Sequence, residues 1–583
     1  MTDVLLVVPP FASAALPALG PSILVAALRR DGLDAHAWYA NLSFAARIGY
    51  GRYGRFAGAS WLSHGELLFA EAAWGQPVPT DAVAFGSREG AVSPADWSAA
   101  LTAVPWFIEA TADAIAARSP KVVGFSSVFE QTVPSVALAR AVRARLPGVP
   151  LLLGGANASR PMGAAIAEAT DVFDLVIGGE AEQELPGLIR RLLDGWRPTE
   201  RSLDWPPLTD LASSPRPVFD DYFEHLERLE GQLPDGLPLA LPFESSRGCW
   251  WGQRSHCTFC GLLGLEIAER AHTPERVLDD IEALVAQWGV PSLQAVDNLM
   301  PLRIQKELLP ELARRQPSRE RPLRFFYEVR SHLKRRDLEL LAAAGVVEVQ
   351  SGLESLSTST LQAIAKGVTG PMNLAFLRDA RATGVRPAWN WMVCFPGDEA
   401  EDYAAAVRLM PFIAHLQPPM GVVPVRIDRF SPYHSDPARY GIRNVTPFAA
   451  MQHTWPDHAD RAAIAYHFDA EVDSAWHDPA VSAAANAALG QWFDAWEDAP
   501  PVLEATPLPD GRLQIRDTRR VALEPEVTLS ADASALLLRL EKPTPIDAAP
   551  QRGLGALLQR GFVVQHEGML VSVVVRPQRP SSP

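Results

Sequence analysis

The chain has 583 residues, of which 48% are hydrophobic and 21% are charged, and its formal net charge is −15. This length and ordinary globular composition predict three or four domains. The acidic balance argues against non-specific nucleic-acid binding, and no apolar run is long enough to indicate a transmembrane helix. Residues 1–10 lack a basic region, so they predict a first strand rather than a signal peptide.

Residues 1–215 predict an open α/β domain of the Rossmann-like kind. Apolar runs and amphipathic segments alternate there, with strands at 4–8, 122–127, 151–155 and 174–180 and helices at 21–30 and 133–146. This alternation favours a parallel sheet, which binds ligands beyond the carboxyl ends of its strands. Gly154, Gly155 and Gly179 follow two of these strands, where glycines by themselves indicate tight turns.

Strands and helices alternate again over residues 236–445, beyond a Pro-rich linker at 205–217. Thr273-Pro274-Glu275 predicts the start of a helix over 277–288. Strand candidates follow at 293–296, 324–329, 346–350, 388–393 and 422–427. Together with a strand that enters a cysteine-rich loop, they predict a partial (β/α)6 barrel whose active site lies at the carboxyl ends of the strands.

The last part of the chain predicts a helical connector over 446–499 and a small module over 500–583. The module has helix candidates at 530–540 and 554–560 and a hairpin at 562–565 and 569–575. This order is typical of a winged-helix-like α+β fold. Such modules bind DNA or hold a peptide strand at a sheet edge, and this one lacks the strong basic stripe that favours DNA. A structural cap on the barrel is the third interpretation.

Cys249, Cys257 and Cys260 are three of only four cysteines in the chain, and they lie within twelve positions. Thiolates ligate iron–sulfur clusters and zinc, and three of them leave one iron of a four-iron cluster able to bind a small molecule. His256 would complete a Cys3His zinc site, although adjacent side chains seldom converge on one ion. A disulfide would leave one of the three cysteines over. The fourth cysteine, Cys394, predicts a buried and inert thiol.

The segment Glu244-Ser-Ser-Arg-Gly-Cys-Trp-Trp-Gly, continued by His256-Cys-Thr-Phe-Cys-Gly261, resembles the cluster loop of radical S-adenosylmethionine (SAM) enzymes. Most of that superfamily spaces its cysteines three and two apart, whereas this chain has seven and two. The longer gap and the Arg-Gly-Cys-Trp-Trp-Gly context resemble the radical SAM enzymes that mature ribosomally made peptides, commonly labelled peptide C-methyltransferases. The resemblance extends over about residues 1–460. It implies a [4Fe-4S] cluster on the three cysteines, SAM near Phe259, and an electron donor such as flavodoxin or ferredoxin. The few cysteines also favour a cytoplasmic location.

The same resemblance implies SAM contacts at the ends of the barrel strands. Ser351-Gly-Leu-Glu354 looks like the ribose-contacting motif of the superfamily, because a carboxylate accepts hydrogen bonds from both ribose hydroxyls. Lys366 matches in spacing a basic residue that pairs with the SAM carboxylate, and a solvated helix end explains it equally well. The other candidate SAM contacts are Asp297, Asn298, Glu328, Arg330, Asn390 and Pro396. For Asp297 and Asn298, a turn with a helix cap is the open alternative.

The order of strands and glycines in residues 1–215 resembles the cobalamin-binding domain that precedes many radical SAM enzymes. In that resemblance Gly154, Gly155 and Gly179 let the backbone approach the corrin and its nucleotide tail. The Asp-x-His-x-x-Gly signature, which supplies a histidine to cobalt, is absent, and residues 126–132 read Ser-Ser-Val-Phe-Glu-Gln-Thr. Bound cobalamin would therefore lack that histidine ligand. The alternative is a domain that has lost the cofactor.

The resemblance implies reductive cleavage of SAM to a radical that removes a hydrogen atom from an unactivated carbon. With cobalamin, the outcome is C-methylation of a precursor peptide, whose leader would dock on the edge of the C-terminal hairpin. The alternatives are a cobalamin-independent carbon–carbon bond or ring on a peptide, such as a cyclopropane, and methylation of a small-molecule natural product. A regulator without turnover is disfavoured, since a pure binder needs no redox cluster. No nucleic-acid or membrane partner is expected.

Overall fold

The computed structural model describes residues 2–58, 62–85, 91–234, 236–262, 264 and 266–577. The chain divides into two units. The first is made of Met1–Phe243, Asp279–Val290 and Thr446–Asp469, and the second of Glu244–Leu278, Pro291–Val445 and Ala470–Pro583. The four-part division expected from the sequence is finer than this one and stays a prediction.

A six-stranded parallel sheet forms the centre of the first unit. Its strands are β1 (Val4–Val7), β2 (Ala35–Trp38), β3 (Val122–Ser126), β4 (Leu151–Gly154), β5 (Leu175–Gly178) and β6 (Ser202–Asp204). They lie in the order β2-β1-β3-β4-β5-β6, and Val4 is opposite both Ala35 and Val122. Since every neighbouring pair is parallel, the carboxyl ends of the strands meet at one edge, and the order reverses between β1 and β3.

Helices alternate with these strands, as the sequence pattern predicts. The helices of residues 2–243 are α1 (Leu19–Arg30), α2 (Ala40–Ile48), α3 (Tyr50–Ala57), α4 (His64–Trp74), α5 (Pro94–Ala117), α6 (Thr132–Arg145), α7 (Met162–Ala169), α8 (Leu185–Leu193) and α9 (Asp220–Arg228). β7 (Leu241–Phe243) follows them. The predicted strands and helices of this part are confirmed to within two residues at each end. The sequence did not predict β2, β6, the helices α2 to α5 or the helices α7 to α9. Strand β2 gave no signal because it is only half-buried and lacks a continuous apolar run.

The second unit holds the barrel strands. Residues 244–431 form β8 (Ser246–Arg247), α10 (Trp250–Arg254), β9 (Arg270–Ala271), α11 (Pro274–Trp288), β10 (Ser292–Ala295), α12 (Leu309–Arg315), β11 (Arg324–Glu328), α13 (Arg335–Ala343), β12 (Val346–Gln350), α14 (Thr358–Ala363), α15 (Gly370–Thr383), β13 (Arg386–Ala388), β14 (Trp391–Val393), α16 (Ala400–Ile413), β15 (Val422–Pro424) and β16 (Ile427–Asp428). Of these, the second part of α11 lies in the first unit. Strands β10, β11, β12 and β13 are parallel neighbours in that order, and β14 pairs in parallel with β15.

Two predicted barrel strands are each divided in the structure. The strand expected at 388–393 is β13, which pairs with β12, followed by β14, which pairs with β15. The break falls at Trp389 and Asn390, where the indole of Trp389 donates to the carbonyl of Gln417 at 3.1 Å. Glu354 forms a single bridge with Trp391 beside this break. The strand expected at 422–427 likewise consists of β15 and β16, so a single continuous strand was the wrong expectation in both places.

The rest of the chain is built from short elements. They are α17 (Pro432–Ser435), β17 (Arg443–Pro447), α18 (Met451–Thr454), α19 (Arg461–Ile464), β18 (His467–Glu471), α20 (Pro479–Asp494), β19 (Leu503–Pro507), β20 (Leu513–Asp517), β21 (Glu526–Thr528), α21 (Ala531–Arg539), β22 (Thr544–Pro545), α22 (Leu554–Gln559), β23 (Val563–His566) and β24 (Met569–Ser572). Three-residue to four-residue 3₁₀ helices lie at Thr80–Ala82, Ala156–Ala158, Leu211–Ser213, Gln316–Ser318, Pro437–Tyr440, Ala475–His477 and Ile546–Ala548, and a π-helical turn lies at Ile304–Leu308.

The C-terminal module contains the predicted helices α21 and α22 and the predicted hairpin of β23 and β24. Its strands form two small antiparallel sheets, in the orders β19-β20-β21 and β22-β24-β23. The first of these sheets was not predicted. Residues 578–583 of the predicted module lie outside the described residues.

Buried polar contacts attach this module to the barrel helices of the same unit. The imidazole of His415 lies 2.8 Å from the carbonyl oxygen of Val573. The guanidinium of Arg378 donates to the carbonyl of Ser572 at 2.8 Å. In the part of the chain that the structure describes, no helix has the length and apolar character needed to cross a membrane.

Candidate functional site

The cysteine loop begins with a glycine that the backbone requires. Gly248 has φ +83°, and a Cβ added there would lie 2.2 Å from the carbonyl oxygen of Ala268. The next residue, Cys249, donates its N–H to the carbonyl of Ile267 at 3.1 Å. Cys249 then caps the short helix α10, because its sulfur accepts the N–H of Gly252 at 3.3 Å. The first thiol is therefore held at a defined helix terminus.

Backbone hydrogen bonds hold the other end of the loop in place and attach it to the barrel. Cys260 donates its N–H to the carbonyl of Cys257 at 3.1 Å, and Thr258 donates to Ile364 at 3.3 Å. The imidazole Nε2 of His256 lies 2.8 Å from the carbonyl oxygen of Cys260. This contact gives His256 a role in shaping the loop between the second and third cysteines.

The three thiols form one electrostatic group. Burial raises the pKa of the Cys249 thiol, and it raises that of Cys260 to about 11, with the neighbouring thiols acting in the same direction. Arg330 opposes this at Cys249, and Lys366 opposes it at Cys260. Because ligand thiols must ionise, half-buried thiols flanked by two cations fit a cluster whose thiolates give it a net negative charge. Among the described residues, no three His, Cys, Asp or Glu side chains are placed to hold one metal ion. A four-iron cluster does not need such a group, because each of its cysteines binds a separate iron.

The predicted ribose-contacting motif and Lys366 meet beside the thiols. The Lys366 ammonium lies 2.8 Å from Oε1 of Glu354 and 5.4 Å from the ring centre of Phe259. Burial disfavours the charged ammonium, but Glu354 and the Cys257 thiol outweigh it, and the pKa of Lys366 is raised. Gly352 has φ +52°, and a Cβ there would approach Lys366 Nζ to 3.0 Å. Lys366 is therefore a largely buried cation beside the thiols and not a solvated helix end.

Ser351 supplies a buried polar atom without a protein partner. Its side chain is fully buried, and its Oγ has no hydrogen-bond partner among the described residues. Buried hydroxyls normally have a partner, so an orphaned one beside Glu354 fits the polar edge of a bound small molecule. Ser351, Glu354 and Lys366 thus fit the SAM pocket that the resemblance implies.

Asp297 and Asn298, which the sequence treats as equal candidates, differ in the structure. Asp297 is fully buried and accepts the N–H groups of Ser245 at 2.8 Å and Ser246 at 2.7 Å, as well as the hydroxyl of Ser245. Burial raises its pKa to about 7. Asn298 is half-buried. Protein donors therefore occupy the carboxylate of Asp297, and a contact of Asn298 with SAM stays a prediction.

Glu328 and Arg330 lie at the end of β11, as the sequence predicts. Burial raises the pKa of Glu328 to about 7, and Asp297 and Glu354 act in the same direction while Lys366 opposes them. Burial lowers the pKa of Arg330 to about 10 against the attraction of the Cys257 and Cys249 thiols. Both side chains therefore belong to the same charged group as the cysteines.

Trp251 is a site residue that sequence reasoning missed. The Arg330 guanidinium lies 3.5 Å from its ring centre, and its indole N–H donates to the carbonyl of Ala365 at 3.2 Å. Gly367 has φ +67°, and a Cβ there would lie 2.4 Å from the Trp251 ring. The paired tryptophans after Cys249 were the available signal, because a large aromatic side chain in a loop needs a packing partner.

The remaining candidates border the site less directly. Asn390 is half-buried in the break between β13 and β14. Pro396 follows Phe395, whose ring centre lies 6.2 Å from that of Phe259. Cys394 is 8% exposed, and burial raises the pKa of its thiol to about 11, in keeping with the inert thiol that the sequence predicts.

The predicted glycines of the first unit lie at the carboxyl edge of its sheet, for structural reasons of their own. A Cβ on Gly155, where φ is +104°, would lie 2.5 Å from the carbonyl oxygen of Ser127, and one on Gly179 would lie 1.9 Å from that of Trp205. Gly154 has no contact closer than 3.7 Å, so close packing does not require it. Gly155, Ala156 and Gly179 are exposed and together leave a surface almost without side chains. A surface of this kind fits a broad, flat group such as a corrin.

Comparison with known proteins agrees with this geometry. Residues 243–410 match the family model of the radical SAM superfamily. The chain is 20% identical over 304 residues to an uncharacterised methyltransferase of Pyrococcus horikoshii, covering 50% of this chain and 63% of that protein. It is 26% identical over 286 residues to the hopanoid C-3 methylase of Methylococcus capsulatus, covering 46% and 52%. The matches thus span between about a half and two thirds of these curated relatives.

Two solved structures share the fold over most of the chain. TsrM of Kitasatospora setae, a radical SAM methyltransferase solved with cobalamin and a [4Fe-4S] cluster, superimposes with a TM-score of 0.56 at 16% identity, covering 84% of this chain and 91% of that one. The cobalamin-dependent radical SAM enzyme OxsB superimposes with a TM-score of 0.53 at 14% identity, covering 85% and 67%. The predicted fold class is confirmed. Residues 243–410 are a radical SAM domain, whose cofactors are a [4Fe-4S] cluster and SAM.

Proposed function

We propose that this chain is a radical SAM C-methyltransferase that acts on an unactivated carbon of a ribosomally synthesised peptide, with cobalamin as its methyl carrier. The observation that carries the proposal is the convergence of three cysteine thiols with Lys366, Glu354 and Arg330 inside the segment that matches the superfamily. The names of the curated relatives, a methyltransferase and a methylase, support methyl transfer. Clusters of this kind are lost in air, and this sensitivity supports a reducing, cytoplasmic location.

The chain's own residues would bind and orient the cofactors. Cys249, Cys257 and Cys260 would hold three irons of the cluster, and the cluster with SAM supplies the radical chemistry of the domain. Glu354 would accept the ribose hydroxyls, and Lys366 would face the SAM carboxylate. Arg330, stacked on Trp251, would place a second cation beside the thiolates. Burial of these side chains keeps water away from the site and strengthens each of these electrostatic contacts.

The first unit would hold cobalamin at the carboxyl edge of its sheet. Cobalamin, when bound, supplies the transferable methyl group. The exposed surface of Gly155, Ala156 and Gly179 supports this proposal, as does the likeness in fold to two enzymes solved with cobalamin. The open alternative is carbon–carbon bond or ring formation on the peptide without cobalamin.

A peptide substrate is supported by the cysteine-loop context and by a groove in the second unit. The groove has a volume of about 590 Å³ and runs between the edge strand β23 and helix α16. Opposite residues of two antiparallel strands alternate between hydrogen-bonded and non-hydrogen-bonded pairs. Val573 and Phe562 form a hydrogen-bonded pair, because the N–H of Val573 donates to the carbonyl of Phe562 at 3.0 Å. By that alternation Val563 and Gln565 direct their backbone N–H and C=O groups into the groove. An extended leader segment would add a strand there.

The reaction is tested on the full chain, reconstituted without oxygen. We expect S-adenosylhomocysteine and 5′-deoxyadenosine to form from SAM when hydroxocobalamin and a flavodoxin reducing system are present, and we expect Cys249→Ala to form neither. If S-adenosylhomocysteine does not form although cobalamin is bound, the methyl-transfer proposal fails and ring formation takes its place. Peptides from short reading frames beside the gene, co-expressed with the enzyme, should gain the mass of methyl groups. No mass change in any of them, together with methylation of a small-molecule product, would favour the small-molecule alternative.

The leader contact is tested at Gln565. Gln565→Pro removes the backbone donor that would pair with an added strand, whereas Gln565→Ala keeps it. We expect the proline variant to lose modification of the co-expressed precursor while SAM cleavage continues, and the alanine variant to behave like the wild type. Equal modification by both variants would contradict docking at β23. A deletion of the module is a poor test, because it would strip the buried partners from His415 and Arg378.

A further inference from the structure

We infer that Phe129, in the loop after β3, packs its phenyl ring against the face of the corrin beneath cobalt. It would stand where an axial histidine would otherwise be. This inference rests on the cobalamin part of the proposed function. It assigns the lower contact to a particular side chain of the first unit.

Phe129 is the exposed member of its loop. Its side chain is 59% exposed, whereas Phe125 and Phe173 of the same unit are 2% and 1% exposed. In residues 126–132, all of which the structure describes, the other side chains are buried or half-buried. Glu130 turns inward and accepts the N–H of Gly65 at 3.2 Å. A single exposed apolar side chain is ordinary on a protein surface, so its position and its rigid backbone carry the argument.

The backbone that presents Phe129 is held in one conformation. Its φ is +51°, a left-handed value that is costly for a bulky residue and that clusters at functional sites. The amide of Asn157 donates to the carbonyl of Phe129 at 2.7 Å and also lies 3.1 Å from Ser127 Oγ. Gln131 ties the same loop to the end of β1, because its amide donates to the carbonyl of Pro9 at 2.8 Å. These contacts hold the ring outward.

The neighbouring loop completes a flat surface beside the ring. Ser127 donates its N–H to the carbonyl of Gly154 at 2.7 Å, and Asn157 donates to that of Ser127 at 3.1 Å, so the loops after β3 and β4 form one surface. Beside Phe129 this surface exposes Gly155 and Ala156, which have no side chain beyond Cβ. Parallel sheets of this strand order bind ligands at this edge, where the order reverses.

The chemistry of the ring matches a corrin that has no protein ligand. A phenyl group has no lone pair for cobalt, so it would cover that face with apolar surface and leave the axial position without a side-chain donor. Burying the exposed ring under the macrocycle would also remove apolar surface from water, which favours binding. Phe129 alone would thus increase the affinity for cobalamin and leave the lower face of the corrin without a protein ligand.

The test uses the full chain with its cluster and hydroxocobalamin as the probe. Equilibrium dialysis should show that Phe129→Ala weakens binding by about tenfold or more, which corresponds to at least about 1.4 kcal/mol. Leu101→Ala, a change at a side chain that is 37% exposed on α5 of the same unit, should leave binding unchanged. Since both side chains are exposed, thermal unfolding of each variant should match the wild type.

The second measurement asks whether a histidine at position 129 binds cobalt. Phe129→His places an imidazole where the phenyl ring stands, so the visible spectrum of the bound cobalamin should shift to that of a nitrogen-ligated form. An unchanged affinity in Phe129→Ala, or no spectral shift in Phe129→His with cobalamin bound, would overturn the inference. If the wild type itself binds no cobalamin, the cobalamin part of the proposed function falls first. The two failures are therefore distinguishable.

Discussion

The ammonium nitrogen of Lys366 lies 2.8 Å from the Oε1 atom of Glu354, and both side chains are largely buried beside the cysteine loop. This ion pair joins two candidates that the sequence offers separately. Breaking a buried pair leaves an uncompensated charge, whereas removing both partners often costs little. The pair therefore allows the structural and the SAM-binding roles of Glu354 to be separated.

Glu354→Gln should weaken SAM binding by about 2 kcal/mol, because it removes a charge-assisted acceptor of the ribose hydroxyls. It should also lower thermal stability, since Lys366 loses its partner. The double variant Glu354→Gln/Lys366→Met should regain the stability but not the SAM affinity. Calorimetry with SAM and thermal unfolding measure the two effects. If Glu354→Gln loses stability but binds SAM as the wild type does, Glu354 serves only as the partner of Lys366.

Cys249→Ala, Cys257→Ala and Cys260→Ala should each abolish assembly of the cluster, because a four-iron cluster on three protein thiolates has none to spare. Cys394→Ala should retain about four irons, because the buried Cys394 lies outside the loop that carries the other three thiols. Iron and sulfide analysis of the reconstituted proteins checks both. An intact cluster in any of the first three variants would refute the assignment, as would its loss in the fourth.

Glu66 should make the stability of the first unit depend on pH. Its side chain is half-buried and accepts the N–H groups of Thr132 at 2.9 Å and Val133 at 2.7 Å, and the partial burial raises its pKa from 4.5 to about 7. The folded chain therefore holds a proton that the unfolded chain has lost between these two pH values. The stabilisation is complete below pH 4.5 and is lost as the pH rises through about 7.

Glu66→Gln should remove that contribution and flatten the fall of unfolding free energy over this range, by up to about 1.4 kcal/mol per pH unit. Urea unfolding at a series of pH values measures the slope. Glu71→Gln, an exposed change on the same helix α4, is the matched control and should keep the wild-type slope. The prediction fails if both variants show the same pH dependence.

Arg519→Ala should destabilise the attachment of the C-terminal module by about 3–5 kcal/mol. Its side chain is 0% exposed, and its guanidinium lies 2.7 Å from the buried carboxylate of Asp517, which the variant would leave unpaired. Arg519 also joins the module to the barrel, because it donates to the carbonyl of Phe412 in α16 at 2.5 Å as well as to that of Gly561 at 3.0 Å. Hydrogen exchange over β19 to β24 and thermal unfolding report the change. Arg512→Ala breaks an exposed pair with Asp510 and should have almost no effect; equal losses in the two variants would contradict the argument.

Elements with a strong local pattern were predicted from the sequence. Apolar runs such as residues 4–8 and 122–127 predicted buried parallel strands, because a strand covered on both faces needs no polar positions. The spacing of Cys249, Cys257 and Cys260 indicated a cluster loop, since their ligand role depends on residue type and short-range spacing. Ser351 and Glu354 were found through a similarly compact motif. Each of these inferences needed only residues that are close in the chain.

Features that depend on residues far apart in the chain were visible only in the tertiary structure. The carboxylate of Asp297 accepts hydrogen bonds from Ser245 and Ser246, about fifty positions earlier in the chain. Trp251 is recognised as a site residue only by its contacts with Arg330 and Gly367. The break after β13 is recognised only because β14 pairs with a different strand, β15. The sequence by itself determined the chemistry of the domain, because the ligands and motifs are local patterns. The tertiary structure decided which side chains are buried and paired around the cysteine loop, because burial and pairing depend on contacts between segments that no local pattern encodes.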